Sequence, residues 1–199
     1  MKEKLMKAAI DLFGKKGYSE TSVQDIVDVL GVTKGTFYYY FDSKQQVLMD
    51  IQLHFIEGLL KQEHGILADE CMDASEKIFE IVRMLVTNID QQGAAARIFF
   101  REMRNLEQDQ VVRVLKEQDQ FRDNLQHLIE NGIAEGRFRN DLPADIVTFA
   151  ILGMCNWSYF WFDPNGTIPD QDVAVIYTEL ILNGMIQPGR HFQCSTKSN

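Results

Sequence analysis

The sequence predicts an all-α protein, and three features of its 199 residues carry that prediction. Apolar residues recur at i, i+3, i+4 and i+7 in one stretch after another, the spacing of a helix with one buried face. Alternating β-branched runs are scarce, and only four prolines and thirteen glycines punctuate the chain. Hydrophobic residues make up 45% of it, enough for a packed core rather than a disordered tail. About nine helices are expected, divided between residues 1–46 and a larger part, residues 47–199.

The first helix, residues 2–16, places Leu5, Ala8, Ala9, Leu12 and Phe13 on one face and stops at Gly17. A second helix carries Val23, Ile26, Val27 and Leu30 on one side. Gly31 then supplies the positive φ of a tight turn, and Val32 fills the angle between helices. Thr33 is an N-cap, and a third helix begins at about Lys34. Phe37 and Phe41, four apart, form its buried stripe. Tyr38, Tyr39 and Tyr40 are successive, so they splay around the helix and cannot all face one core. Two short helices joined at a glycine, the second crowded with hydroxyls and a cation, make a helix-turn-helix.

Ser43 caps a fourth helix bearing Val47, Leu48, Ile51, Phe55 and Leu59, so the boundary near residue 47 lies within a helix. Residues 73–91 and 94–106 read as two amphipathic helices broken near Gly93. A long helix follows, from Val111 through Leu115, Phe121 and Leu125 to Ile133, and ends near Gly136. Pro143 opens the next, residues 143–162, and Asp163 to Gly166 form a turn. Pro169, Asp170 and Asp172 start a last helix that ends near Met185 or Ile186, and the polar final dozen residues are expected to be loose.

The run GYSETSVQDIVDVLGVTKGTFYYYFDSKQQVL, with its G-V-T-K-G-T-F-Y-Y-Y-F-x-S-K core, resembles the N-terminal domain of the TetR family (TetR/AcrR type) of bacterial one-component repressors. The likeness spans about residues 4–48; beyond it, only the helical layout and length are similar. It implies that Lys34, Gly35 and Thr36, at the start of the recognition helix, enter a major groove. There lysine can donate to guanine, the threonine methyl can touch thymine, and glycine lets the backbone approach closely. Thr21, Ser22, Thr33, Tyr38, Tyr39, Tyr40 and Lys44 match family positions that hold the DNA backbone, where hydroxyl, ammonium and amide groups donate to phosphates. It also implies a homodimer, formed by the last two helices of each subunit, on a palindromic operator. Gly153 and Gly184 would allow close helix approach in that pairing.

The net charge of −9 argues at first against a nucleic-acid partner, but its distribution matters more. Residues 1–50 hold seven lysines and seven acids, so the excess lies wholly in residues 51–199. An acidic body held away from phosphates is compatible with a docking end that weakens in salt.

Two clusters are candidates for a small-molecule site. Trp157, Tyr159, Phe160, Trp161 and Phe162 cover a whole helix circumference, so some rings serve core or dimer packing while Trp157, Phe160 and Trp161 are candidates for a cavity lining. Arg97, Arg101 and Arg104 share one helical face, with Phe100 and Met103 beside them, either as a solvated stripe or as an anion site. The segment NWSYFWFDPNG more loosely resembles a C-terminal motif of TetR-type repressors of fatty-acid and steroid breakdown, which respond to acyl-coenzyme A thioesters. That implies a hydrophobic, acyl-CoA-like effector, its chain among the aromatics and its phosphates on the arginines.

Other classes find little support. Cys71, Cys155 and Cys194 are far apart and odd in number, and His54, His64, His127 and His191 form no ligand spacing, so neither a disulfide framework, a metal site nor a cofactor is expected. Nucleophile elbows, phosphate loops and paired carboxylates are absent from the sequence, so an enzyme is not expected. A secretory leader and an apolar run of about 18 residues are also absent, which points to the cytoplasm. The expected activity is ligand-released repression; a ligand-independent DNA-binding protein or an activator is the alternative.

Overall fold

A computed structural model describes residues 1–186. Its elements are α1 (Lys2–Lys16), α2 (Val23–Leu30), α3 (Lys34–Tyr40), α4 (Lys44–Leu67), α5 (Ala74–Glu102), a 3-10 turn (Met103–Asn105), α6 (Gln108–Ala134), α7 (Ala144–Trp161) and α8 (Asp170–Met185). Among the described residues these are nine helical elements and no strand; Phe138 and Ile186 form one isolated bridge. The tail beyond Ile186, with His191 and Cys194, lies outside the described residues, so the expectation of a loose end falls there too.

Local chemistry sets the helix starts. Ser43 Oγ accepts from the Gln46 amide at 3.0 Å, as its expected cap role requires. At the start of α5, Asp73 Oδ1 accepts from the Ser75 and Glu76 amides, and Glu76 Oε2 takes the Asp73 amide at 2.8 Å. Pro143 and Pro169 sit one residue before α7 and α8.

One expectation is corrected. Residues 73–91 and 94–106 are not separate helices: α5 runs unbroken for 29 residues through Gly93, and only Met103–Asn105 tighten into a 3-10 turn. An interior glycine costs a helix about 1 kcal/mol. Burying Ile78, Ile81, Val82, Leu85, Val86 and Ile89 before it, and Ala96 and Phe99 after it, outweighs that cost.

The chain divides into two compact units, residues 1–58 with 92–118, and residues 59–91 with those from 119 onward. The first has a core of Leu5, Ala9, Phe13, Ile26, Val27, Phe37, Phe41, Leu48 and Phe99. The second is built on Ile81, Leu85, Leu125, Ile129, Phe138, Ile151, Tyr159 and Leu182. Tyr159 donates its hydroxyl to the Leu85 carbonyl at 3.1 Å, fixing α7 against α5 within that unit. After α6 the Arg139 amide bonds the Met185 carbonyl at 2.8 Å, and a Cβ on Gly132 would lie 2.3 Å from the Phe138 ring. That close approach requires glycine.

Candidate nucleic-acid interface

The helix-turn-helix is held by its own caps. Ser22 and Asp25 form a reciprocal capping box: Asp25 N donates to Ser22 Oγ at 3.1 Å, and Ser22 N to Asp25 Oδ2 at 2.7 Å. The Ser22 hydroxyl also donates to Asp25 Oδ2 at 2.7 Å; that bond and the one from the Ser22 amide, with Lys16 3.0 Å away, hold the Asp25 carboxyl well below the usual carboxylate range. Gly31 closes α2 in the left-handed region at φ 63°. Its N–H reaches Asp28 O, and Val32 N reaches Val27 O at 3.1 Å, the paired bonds of a Schellman stop. Thr33 Oγ1 accepts from Thr36 N at 3.3 Å and starts α3.

The seven residues of α3 and its C-cap Phe41 then sort by face. Phe37 and Phe41 are buried, their ring centroids 5.5 Å apart. Tyr38 and Tyr40 are exposed, and Tyr39 is 81% exposed. Ser22, Thr33, Lys34 and Gly35 are exposed as well, and Thr36 is half-buried. The surface offers hydroxyls, one ammonium and a glycine-thinned backbone, which suits phosphate contact and base-edge donation.

Two of the residues expected at phosphates have hydrogen-bond partners within the chain. Thr21 is buried, and its hydroxyl donates to Gly17 O at 2.7 Å, so it braces the α1–α2 loop instead of facing solvent. Lys44 is half-buried: Nζ donates to Tyr18 O at 2.8 Å and Thr21 O at 2.6 Å, and sits 4.2 Å from the Tyr18 ring centroid. Burial lowers the Lys44 ammonium from its ordinary value, with Glu20 and Asp25 acting in the opposite direction. Burial also raises the Tyr18 phenol, helped by the charge of Glu102. Sequence reasoning missed Tyr18 as the platform of this clasp, because carbonyls as acceptors leave no residue pattern.

The small-molecule candidates fall in both units. Arg97 and Arg101 line a cleft of about 270 Å³ in the first unit, together with Lys15, Lys16, Phe13 and Glu102. The two lysines were missed, being some 80 residues away in sequence. Phe100 and Met103 are half-buried, and Arg104 is exposed on the 3-10 turn. Trp157, Phe160 and Trp161, in the second unit, are exposed, Trp157 by 65%. Expected as candidates for a cavity lining, they lie on the surface of the single chain. Burial is met by Ile151, Cys155, Ser158 and Tyr159 on the opposite side of α7. The outward side continues through Ile146 and Phe149, and α8 likewise exposes Ile176 and Leu180. Among the described residues no His, Cys, Asp or Glu group is placed to hold a metal, and no helix is long and apolar enough to cross a membrane.

A capped turn that presents a short tyrosine-rich helix outward, attached to a larger helical body, defines a helix-turn-helix DNA-binding regulator. The chain belongs to the TetR family: residues 5–51 match the model for bacterial regulatory proteins of the tetR family, and residues 71–185 match the tetracyclin repressor-like C-terminal domain. Members of this family are transcriptional regulators and not enzymes. The chain is 28% identical to the HTH-type transcriptional repressor KstR2 of Rhodococcus jostii (strain RHA1) over 186 residues, 92% of this chain and 90% of that protein. It is similar in structure to the ketosteroid transcriptional regulator KstR2 of Mycobacterium tuberculosis, with a TM-score of 0.86, 26% identity and coverage of 94% and 95% of the two chains. It is also similar to the TetR family regulator PfmR of Thermus thermophilus, with a TM-score of 0.84, 28% identity and coverage of 90% and 97%.

Proposed function

We propose that this chain is a repressor that binds a palindromic operator as a homodimer and is released by a hydrophobic, acyl-CoA-like small molecule. The observation that carries the DNA half is the split of α3, with Phe37 and Phe41 buried and Lys34, Tyr38, Tyr39 and Tyr40 exposed. Lys34, Gly35 and Thr36 reach base edges, while Ser22, Thr33 and the three tyrosines hold phosphates. Relatives named as repressors support the direction of control.

The uncovered apolar sides of α7 and α8 support the dimer. Trp157, Phe160, Trp161, Ile176 and Leu180 are large and apolar, and a contiguous exposed patch of such residues marks an interface. Glycines at 153 and 184 add no bulk; a Cβ at either would meet nothing within 4 Å. Two-fold pairing through these helices sets half-sites about 34 Å apart or a multiple of that.

The effector class is supported by charge. Lys15, Lys16, Arg97 and Arg101 line one cleft with Glu102, and Lys16 also pairs with Asp25 at 3.0 Å; a lining so rich in cations supports phosphate groups. Helix α4 is tied at its first residue, Lys44, to the Tyr18–Thr21 loop and continues without interruption to Leu67, so a shift along it would reach the reading head. The coupling requires an effector that binds the released state better.

Fluorescence anisotropy with DNA from upstream of the protein's own coding sequence tests the proposal. Binding tighter than about 10⁻⁸ M, lost on adding palmitoyl-CoA but not free CoA, is the expected result. A protein that shifts no such DNA, or stays bound whatever acyl-CoA is added, is not this regulator.

A further inference from the structure

Glu63 is 0% exposed on α4. Its Oε2 accepts from Asn124 Nδ2 of α6 at 2.8 Å. The same amide lies 3.3 Å from His64 Nε2, and Asn124 Oδ1 takes a bond from Gln120. Glu63 Oε1 is equally buried and has no hydrogen-bond partner among the described residues. The flanking Leu60, Phe121, Leu125 and Leu128 are buried and apolar.

A buried oxygen without a partner is destabilising, and a fold that keeps one needs a use for it. Burial raises the Glu63 carboxyl to about 8, with Asn124 acting the other way, so the neutral acid prevails at pH 7. Asn124 already donates to Oε2, so the acid proton resides on Oε1 and makes it a donor. Its natural complement is an uncharged acceptor oxygen carried into an apolar setting. An ammonium would need the ionised form, and a second anion would add an unpaired charge.

We propose that Glu63, positioned by Asn124, donates a hydrogen bond from Oε1 to a carbonyl oxygen of the effector. This rests on the effector reading above and deepens it: in an acyl-CoA the accepting atom is the thioester carbonyl. Neither tyrosines nor arginines provide that recognition; the polar pair inside the second unit does.

The test compares palmitoyl-CoA with S-hexadecyl-CoA, a thioether of the same length that lacks the carbonyl, as agents of operator release. Wild-type protein is expected to respond to palmitoyl-CoA at roughly two- to tenfold lower concentration, the range of one net hydrogen bond. Glu63→Leu abolishes that preference, whereas Glu63→Gln, whose amide still donates, keeps most of it. Thermal melting checks that Glu63→Leu stays folded, since it loses the Asn124 bond at 2.8 Å along with the unpaired Oε1. Equal potency in the wild type, an undiminished preference in Glu63→Leu, or loss of preference in Glu63→Gln overturns the assignment of Glu63 while leaving the effector class intact. No release by either compound overturns the effector class and this proposal with it.

Discussion

Replacing Lys44 by methionine separates two ways in which a lysine at this position can serve DNA binding. Methionine keeps the apolar stem but removes both Nζ bonds, at 2.8 Å to Tyr18 O and 2.6 Å to Thr21 O, and the cation over the Tyr18 ring. Hydrogen bonds from charged donors contribute about 1.5–3 kcal/mol each. Dehydrating the half-buried ammonium offsets a good part of that, as the lowered Lys44 value indicates. The net loss is therefore about 2 kcal/mol of stability. Urea unfolding reads it directly, as a lower midpoint with an unchanged slope. Operator affinity falls too, because the α1–α2 loop loses its tether, but the dependence of log K on log salt keeps its slope. A lysine that neutralised one phosphate would behave oppositely: stability would hold, and the salt slope would shrink by about one. That second pattern would refute the clasp.

Gly132→Ala is expected to cost about 2–3 kcal/mol in denaturant unfolding, because its Cβ would lie 2.3 Å from the Phe138 ring, and Phe138→Leu should recover part of the loss. Trp157→Glu and Leu180→Glu should each yield monomers in sedimentation and abolish operator binding without unfolding the chain, as charges on an interface core would. Stability should fall as pH rises from about 5 toward 8, by up to about 1 kcal/mol per pH unit, through Glu63. The sign follows because the folded carboxyl, raised to about 8, holds a proton that the unfolded one, at its ordinary 4.5, has released. Glu63→Gln should remove that slope between those limits, and a variant with the wild-type slope would place its origin elsewhere.

The reading head was legible because its determinants are local. The Thr33 cap, the Gly31 turn and the Phe37–Phe41 stripe each act within one helical turn, so pattern alone located α2 and α3. The unbroken α5 was not legible, since Gly93 is a breaker by propensity and only packing along the whole helix overrules it. Whether Trp157, Phe160 and Trp161 line a cavity or pack at an interface was not legible, for a related reason. Hydrophobicity marks a face that avoids water but does not say whether the covering surface is the same chain. Thr21 and Lys44 looked like phosphate ligands by residue type and position; their carbonyl partners depend on the path of the α1–α2 loop. Lys15 and Lys16 join Arg97 and Arg101 only through folding, and Glu63 carried no motif at all.

Selection of binding sites from randomised duplex DNA bears most directly on the reading of α3 as a paired recognition element. Wild-type protein should enrich an inverted repeat with half-site centres about 10 base pairs apart or a multiple, and Lys34→Ala should alter base preference at one symmetry-related pair of positions. Enrichment of no repeat, or an unchanged preference with affinity lowered uniformly across sequences, would contradict it.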